Sequence, residues 1–270
     1  MTDPLFSGPI WLVGCGNMAG AMLEGWLDAG LDPARVTVIR PSGKPAPGGV
    51  RVRADYPEDE VPALVLLGMK PYQIDEVAPA LAPLLGAETL LVSILAGVEL
   101  ASHRARFPAP RTIVRAMPNT PVRLRKGVVN LFAEHRDTRV ERLMGALGRA
   151  EWLEEERLFQ LAGVLTGAGP AFLFRFIDAL AEAGREAGLE AEQALRLARL
   201  MVEGAGALAA ASDAPPAELA RRVASPGGTT QAGLDVLDQA DGMAALLRRT
   251  VAASLRRSDE MAAEARARPS

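Results

Sequence analysis

The six residues Gly14-Cys15-Gly16-Asn17-Met18-Ala19 constrain this chain more than any other segment. They follow a short apolar run, Ile10 to Val13, and open a helical pattern from Asn17 to Ala29. In the arrangement G-x-G-x-x-G/A between a strand and a helix, each small residue has a physical task. Gly14 permits the tight turn out of the strand. Gly16 has no side chain to hold a pyrophosphate away from the backbone. Ala19 lets the helix lie close to the sheet. The amides at the helix start, reinforced by the helix dipole, attract phosphate. The pattern predicts a dinucleotide-binding turn; the alternative is a tight strand–helix turn with no ligand.

The flanking pattern supports the first of these. Val36 to Ile39 is β-branched and predicts a second strand. Ala63 to Leu67 and Thr89 to Ile94 predict buried strands separated by a helix over Gln73 to Leu85, and Arg111 to Met117 and Val128 to Phe132 predict two more. Short apolar strands separated by helices imply a parallel sheet covered on both faces. Arg40 to Gly49, rich in proline and glycine, reads as a loop. The character changes near Glu151. Beyond it Ala, Leu, Glu and Arg dominate, and helices are expected over Phe172 to Ala187, Ala191 to Ala211, Ala217 to Ala224 and Gly242 to Arg266, the last capped by Asp241. The chain therefore reads as an α/β Rossmann-type dinucleotide-binding domain over residues 1–153, followed by an all-α domain over residues 154–270.

Composition excludes several classes. The 270 residues suffice for two domains. Lys and Arg total 30 against 33 Asp and Glu, and a net charge of -3 gives no reason to expect nucleic acid. With one cysteine, Cys15, no intrachain disulfide can form, which suits the cytoplasm. Met1 to Ser7 does not read as a leader, and the uncharged run Leu158 to Phe174 falls short of a membrane span. A soluble protein is expected, with no membrane partner and no metal.

The end of the second strand selects the cofactor. An NAD site usually carries an acid there to hold the ribose hydroxyls. Here Arg40 stands in its place, followed by Ser42 and Lys44, a cation-and-hydroxyl set that suits a ribose 2′-phosphate and so NADP(H). The alternative is that Arg40 and Lys44 are solvated loop charges.

Four further stretches go beyond a generic Rossmann pattern. They are Gly68-Met69-Lys70-Pro71; Ala96-Gly97-Val98; Val114-Arg115-Ala116-Met117-Pro118-Asn119-Thr120-Pro121; and, in the helical half, the pair Thr166-Gly167-Ala168-Gly169-Pro170-Ala171-Phe172 and Ser225-Pro226-Gly227-Gly228-Thr229-Thr230. Taken in order, from about Ile10 to about Ala263, they resemble the pyrroline-5-carboxylate reductase family. The resemblance implies NADPH-dependent reduction of 1-pyrroline-5-carboxylate to L-proline. It implies that Gly14, Gly16, Asn17 and Met18 meet the pyrophosphate and that Arg40 and Ser42 approach the adenosine ribose. Met69, Lys70, Pro71, Ala96 and Gly97 would line the cofactor, with Asn119 near the nicotinamide. Ser225, Gly227, Gly228, Thr229 and Thr230 would hold the substrate. It also implies a homodimer through the C-terminal helices, often within larger rings. The chain departs from the family pattern in three places: Ala168 stands for a usual Ser, Phe172 for a usual Tyr, and Tyr56 for a common Asn near the ribose.

The loop Ser225 to Thr230 suits a carboxylate on its own chemistry. Pro226 sets one dihedral, Gly227 and Gly228 let amides turn toward an anion, and Thr229 would start a helix. The alternative is a Pro-Gly-Gly turn capped by Thr. No strong general acid is evident. His103, beside Arg104 on a helix, and His135, in a polar loop, both read as surface residues. Thr230 is expected to hydrogen-bond the imine nitrogen and position it.

Three other functions compete on sequence. A β-hydroxyacid dehydrogenase would need a lysine where Leu173 stands, and Arg175 cannot donate a proton. A non-catalytic NADP-binding sensor would not need the Ser225 to Thr230 loop. A deazaflavin-linked NADP oxidoreductase shares the first domain only. The small-residue set Val202, Gly204, Ala205, Gly206, Leu208 and Ala209 suits either core packing or a dimer face.

Overall fold

The computed structural model describes residues 8–267. The segment Met1 to Ser7 and the expected fraying of the last few residues therefore lie at or beyond the limits of the described residues. Contacts divide the chain into two compact units, one running to Ala168 and joined by the segment from Leu255 on, the other spanning Gly169–Ser254.

The first unit is built on one sheet of eight strands: β1 (Ile10–Val13), β2 (Val36–Ile39), β3 (Arg51–Arg53), β4 (Leu64–Leu67), β5 (Leu90–Ser93), β6 (Thr112–Pro118), β7 (Gly127–Phe132) and β8 (Gly148–Trp152). Their spatial order is β3-β2-β1-β4-β5-β6-β7-β8. The first six thus follow the doubly wound Rossmann order, which reverses between β1 and β4. Strand alternation sorts the core into two faces. Ile10, Leu12, Leu64, Leu66, Leu90 and Val92 point to one side, against Met22, Leu23 and Trp26 of α1 (Asn17–Asp28) and Val140, Leu143 and Met144 of α4 (Thr138–Gly145). Trp11, Val13, Val65, Leu67 and Leu91 point to the other, against Ile74, Ala78 and Leu81 of α2 (Ile74–Leu81) and Leu100 of α3 (Leu100–Arg106). Both faces are covered, so the central strands need apolar residues at every position.

The expected first domain differs from the observed one in three ways. β7 runs antiparallel to β6, pairing Asn130 with Met117, whereas a wholly parallel sheet was expected. The connection Asn119 to Lys126 is too short for a parallel crossover and folds as a tight 3-10 turn over Thr120–Leu124. β3 and β8 were not expected at all. Arg-Val-Arg and Gly-Arg-Ala-Glu-Trp carry charges at alternate positions because both are edge strands wet on one side. The helix expected over Gln73 to Leu85 ends at Leu81, and Ala82–Leu84 continues as a 3-10 turn around Pro83.

His103 is a second correction. It does not lie on the surface: its residue is fully buried, and neither ring nitrogen has a hydrogen-bond partner among the described residues. Leu100 and His103 are the buried residues of α3, with Phe107 buried just past its end, while the neighbouring Arg104 reaches Pro110 O, Arg111 O and Glu134. His135, by contrast, is exposed as expected.

The second unit is helical: α6 (Gly169–Glu186), α7 (Ala191–Ala211), α8 (Pro216–Val223), α9 (Thr229–Leu237) and the first part of α10 (Met243–Ala267). α7 begins where Glu190 accepts hydrogen bonds from the amides of Glu192 and Gln193 at 3.0 and 2.9 Å. α6 starts before the expected Phe172 because Pro170 is tolerated in a first turn. The cap of α10 falls on Gly242, whose carbonyl accepts from Leu246 N, and not on Asp241.

The buried apolar residues of this unit are Ala181, Ala194 and Ala198, while Phe174 is 62% exposed, Leu200 58% and Leu208 60%. Gly204, Ala205, Gly206, Leu208 and Ala209 all face outward, so they are not monomer core. Such a unit leaves much of its apolar surface uncovered, which marks an interaction face. Although the run Leu158 to Phe174 was expected to fall short of a membrane span, the helical stretch Glu156–Glu186 that contains it is long and apolar enough by length and composition to cross one.

Burial, and then the charges of Arg115 and Arg106, push the His103 pKa down from its ordinary 6.5 to about 3. The unfolded chain takes up a proton below about pH 6.5 and the folded chain does not, so His103 subtracts stability as pH falls from 6.5 toward 3. The slope approaches about 1.4 kcal/mol per pH unit in that window. His103→Leu should therefore flatten the fall of melting temperature between neutral pH and about pH 4.5. Equal slopes for parent and variant would show that His103 contributes nothing to acid sensitivity.

Candidate active site

The fingerprint turn stands at the C-terminal edge of the sheet, beside the point where strand order reverses. Gly14 N donates to Ile39 O at 2.9 Å, so the turn is tied to the end of β2. Gly14 has φ +82, and a Cβ there would come within 2.6 Å of Met69 N. Only glycine can cross the chain leaving β4 at this distance. Gly16 is the N-cap of α1 and supplies no side-chain cap, and the first turn carries no acid. The first amides of α1 thus have no intrahelical partner and no competing carboxylate. Ala19 is buried under the same turn. This cradle, which a side chain would fill, fits a dinucleotide pyrophosphate.

Arg40 follows β2 but is not a loose surface charge. Its Nη1 donates to Cys15 O at 3.2 Å, Nε to Lys44 O at 2.8 Å, and Nη2 to Lys44 O and Pro45 O. The guanidinium is clamped between the fingerprint turn and the Arg40 to Gly49 loop, with Ser42 and Lys44 exposed on that loop. Met69, half-buried, packs on the second face of the core, and Lys70 N donates to Gln73 Oε1 at 3.0 Å ahead of the turn Pro71–Gln73. Ala96 is exposed after β5, and Gly97 turns the chain with φ +76. Tyr56 stacks on Trp11 at 6.0 Å between ring centroids, and burial pushes its hydroxyl up to about 12.

Asn119 follows β6 at the same edge, 7% exposed. Both ends of its amide are taken by protein: Oδ1 accepts from Val128 N at 2.9 Å and Nδ2 donates to Thr166 O at 3.0 Å. The structure thus keeps Asn119 at the sheet edge but gives its side chain a framework task.

The loop Ser225 to Thr230 belongs to the other unit. Gly227 has φ +72, and Gly228 N donates to Ser225 O at 2.9 Å, closing a tight turn. Gly228, not a threonine, is the N-cap of α9, and no side chain caps the helix. The Thr-capped alternative is therefore not the one formed. A Cβ on Gly228 would sit 2.5 Å from Ser225 Oγ, so the serine hydroxyl is folded over the same turn. Ser225, Thr229 and Thr230 are exposed. The result is an open helix N-terminus ringed by hydroxyls, which can receive a carboxylate.

Three functional-looking residues lacked a sequence signal of their own. Arg115, in the Arg-x-Met-Pro-Asn-Thr-Pro stretch, is 6% exposed and pairs with Glu156, whose Oε1 also accepts from Leu100 N at 2.7 Å. Its guanidinium lies 4.6 Å from the Phe159 ring centroid. Arg115 thus staples β6 to α3 and α5 (Glu156–Gly163). Asn130 of β7 donates to the hydroxyl of Thr166, which lies in a single π-helical turn over Val164–Ala168.

A Rossmann sheet with an open phosphate cradle, followed by a helical unit carrying a second open helix N-terminus, defines a dinucleotide-linked oxidoreductase. Comparison with known proteins agrees and goes further. Residues 156–261 match the family model for pyrroline-5-carboxylate reductase dimerisation, and residues 9–97 match the one for coenzyme F420-dependent NADP oxidoreductase. A pyrroline-5-carboxylate reductase from Pseudomonas aeruginosa is 36% identical over 94% of this chain and 96% of its own length. One from Pisum sativum is 32% identical over 92% and 94%. The solved structure of a pyrroline-5-carboxylate reductase from Coxiella burnetii superposes with a TM-score of 0.86 at 31% identity, covering 94% of this chain and 98% of that one. The chain belongs to the pyrroline-5-carboxylate reductase family. The β-hydroxyacid dehydrogenase and deazaflavin alternatives fall with that membership, because the helical half matches the pyrroline-5-carboxylate reductase dimerisation model.

The staple has a measurable consequence. Glu156→Leu leaves the buried Arg115 charge without its hydrogen-bonded partner, with only the more distant charge of Glu99 to offset it. It should cost about 3 kcal/mol, at the low end for such a loss because the Glu156 side chain is 32% exposed. Arg115→Met should cost less, since Glu156 can turn to water. Thermal melts of the two variants check this, and the reverse order would contradict the staple.

Proposed function

We propose that this chain reduces 1-pyrroline-5-carboxylate to L-proline with NADPH. The observation that carries the substrate assignment is the uncapped N-terminus of α9, whose amides and surrounding hydroxyls suit a carboxylate. Family membership supplies the reaction class.

When bound, NADPH supplies a hydride to the imine carbon. The protein's part is orientation and electrostatics. Gly14, Gly16, Asn17 and Met18 receive the pyrophosphate on the α1 amides. Arg40, already clamped at the end of β2, presents positive charge to the ribose 2′-phosphate together with Ser42. Met69, Lys70, Pro71, Ala96 and Gly97 form the wall along the strand ends, and Asn119 supports the nicotinamide end. Ser225, Gly227, Gly228 and Thr229 hold the carboxylate. Thr230 hydrogen-bonds the ring nitrogen. No histidine serves as acid, because His103 is buried with a pKa near 3 and His135 belongs to no site cluster. The imine is basic enough to arrive protonated, so nitrogen keeps its proton as carbon gains the hydride.

The functional boundary lies between residues 153 and 154, supported by the dimerisation match that begins at 156. The exposed apolar faces of α6 and α7 close on a second copy, giving a cytoplasmic homodimer and not a membrane span. A monomer mass by light scattering would overturn that assembly.

The reaction is tested by the loss of NADPH absorbance on adding 1-pyrroline-5-carboxylate. Thr230→Ala should lower kcat by about ten- to a thousandfold. Unchanged turnover would remove Thr230 from the reaction, and no oxidation by the parent protein would favour a non-catalytic sensor.

A further inference from the structure

We propose that Asn130 and Thr166 are positioning residues that set the nicotinamide end of the cofactor site through the π-turn Val164–Ala168. The proposal rests on the NADPH reading above and adds to it two residues with no assigned role.

The strand order fixes where that end lies. In a doubly wound sheet the dinucleotide straddles the switch point, with adenosine over β1 and β2 and nicotinamide over β4 to β6. Asn119, the first residue after β6, therefore marks the nicotinamide side. Its side chain is only 7% exposed, and each end of its amide already bonds to protein. Val128 N is a donor only, so the end facing it must be Oδ1, and Nδ2 is left pointing at Thr166 O. Asn119 acts by holding something, and what it holds is the π-turn.

A π-turn is a strained insert that relaxes to α-helix unless its surroundings maintain it, and such turns concentrate at functional sites. Here Thr166 is gripped at both its backbone and its side chain. Its carbonyl accepts from Asn119 Nδ2 at 3.0 Å. Its hydroxyl accepts from Asn130 Nδ2 at 2.7 Å and donates to Ala162 O at 2.9 Å. Ala162 O is the carbonyl that a regular α-turn would give to the Thr166 amide, so the hydroxyl stands in for a bond the wider turn disturbs. Asn130 is 1% exposed on β7, opposite Met117 of β6. The loop of bonds runs from the end of β6 through the turn to β7. It locks the turn against the strand whose tip carries the nicotinamide side. Leu165 and Gly167, on either side of Thr166, are exposed. Hydride transfer is sensitive to displacements of about an ångström, so a turn held this way governs turnover more than affinity.

The test uses the full chain with Thr166→Val, Thr166→Ser and Asn130→Ser. Thr166→Val keeps shape and removes the hydroxyl. It should lower kcat by about ten- to a hundredfold while the NADPH dissociation constant moves less than about threefold. Thr166→Ser should return kcat to within about threefold of the parent. Asn130→Ser reaches the same loss without altering the turn itself, and serves if Thr166→Val does not fold. The fluorescence of bound NADPH is read alongside: Thr166→Val should shift nicotinamide emission toward that of free cofactor, and Thr166→Ser should not. Parental kcat and emission in Thr166→Val or Asn130→Ser, or a loss in Thr166→Ser as deep as in Thr166→Val, would overturn the proposal. A parent protein that binds NADPH but leaves the imine unreduced would sink the substrate reading alone, and the emission comparison still decides the positioning role.

Discussion

The parallel pairing of β1 with β4, in register from Ile10 with Leu64 to Val13 with Leu67, is the contact on which the first unit depends. It creates the strand-order reversal, and the reversal leaves a crevice at the strand ends. It also brings Gly14 against Met69, so a positive-φ glycine and a close backbone approach arise at the same place. The open amides of α1 then face the crevice because α1 must lie back across the sheet to bury Met22, Leu23 and Trp26. Core packing and phosphate binding are thus two results of one pairing.

The helical unit obeys a different constraint. Its long helices carry ample apolar residues, but the side chains buried within one chain are small alanines. Close approach of α6 and α7 is bought with side-chain volume, and the larger residues remain outside. A surface of that kind is stable in water only when covered. Residues 156–261 match the pyrroline-5-carboxylate reductase dimerisation model.

Much of the first unit was legible because parallel strands buried on both faces have no choice but to be apolar throughout. Ile10 to Val13 and Val36 to Ile39 were bounded correctly for that reason. Edge strands escape the rule: β3 and β8 alternate charge with apolar residues and look like loops in one dimension. His103 failed for a related reason. A seven-residue helix offers too short a stripe to outweigh an adjacent arginine. The loop Ser225 to Thr230 was legible as a turn, but which residue caps α9 was not, since threonine and glycine both suit the position.

By itself the sequence determined the phosphate cradle, the two-part organisation and the family, because each is written in contiguous residues whose type is dictated by local backbone geometry. Only the tertiary structure decided what Arg40, Asn119, Arg115 and Thr166 do. The bonds of Arg40 to Cys15, Asn119 to Thr166, Arg115 to Glu156 and Thr166 to Asn130 span 25 to 47 residues, and no local spacing connects them. A polar group's role depends on which donors and acceptors the fold brings to it. Asn119 looked like a ligand for the cofactor until both ends of its amide were seen to be occupied by protein, and the π-turn that occupies one of them has no signature in sequence.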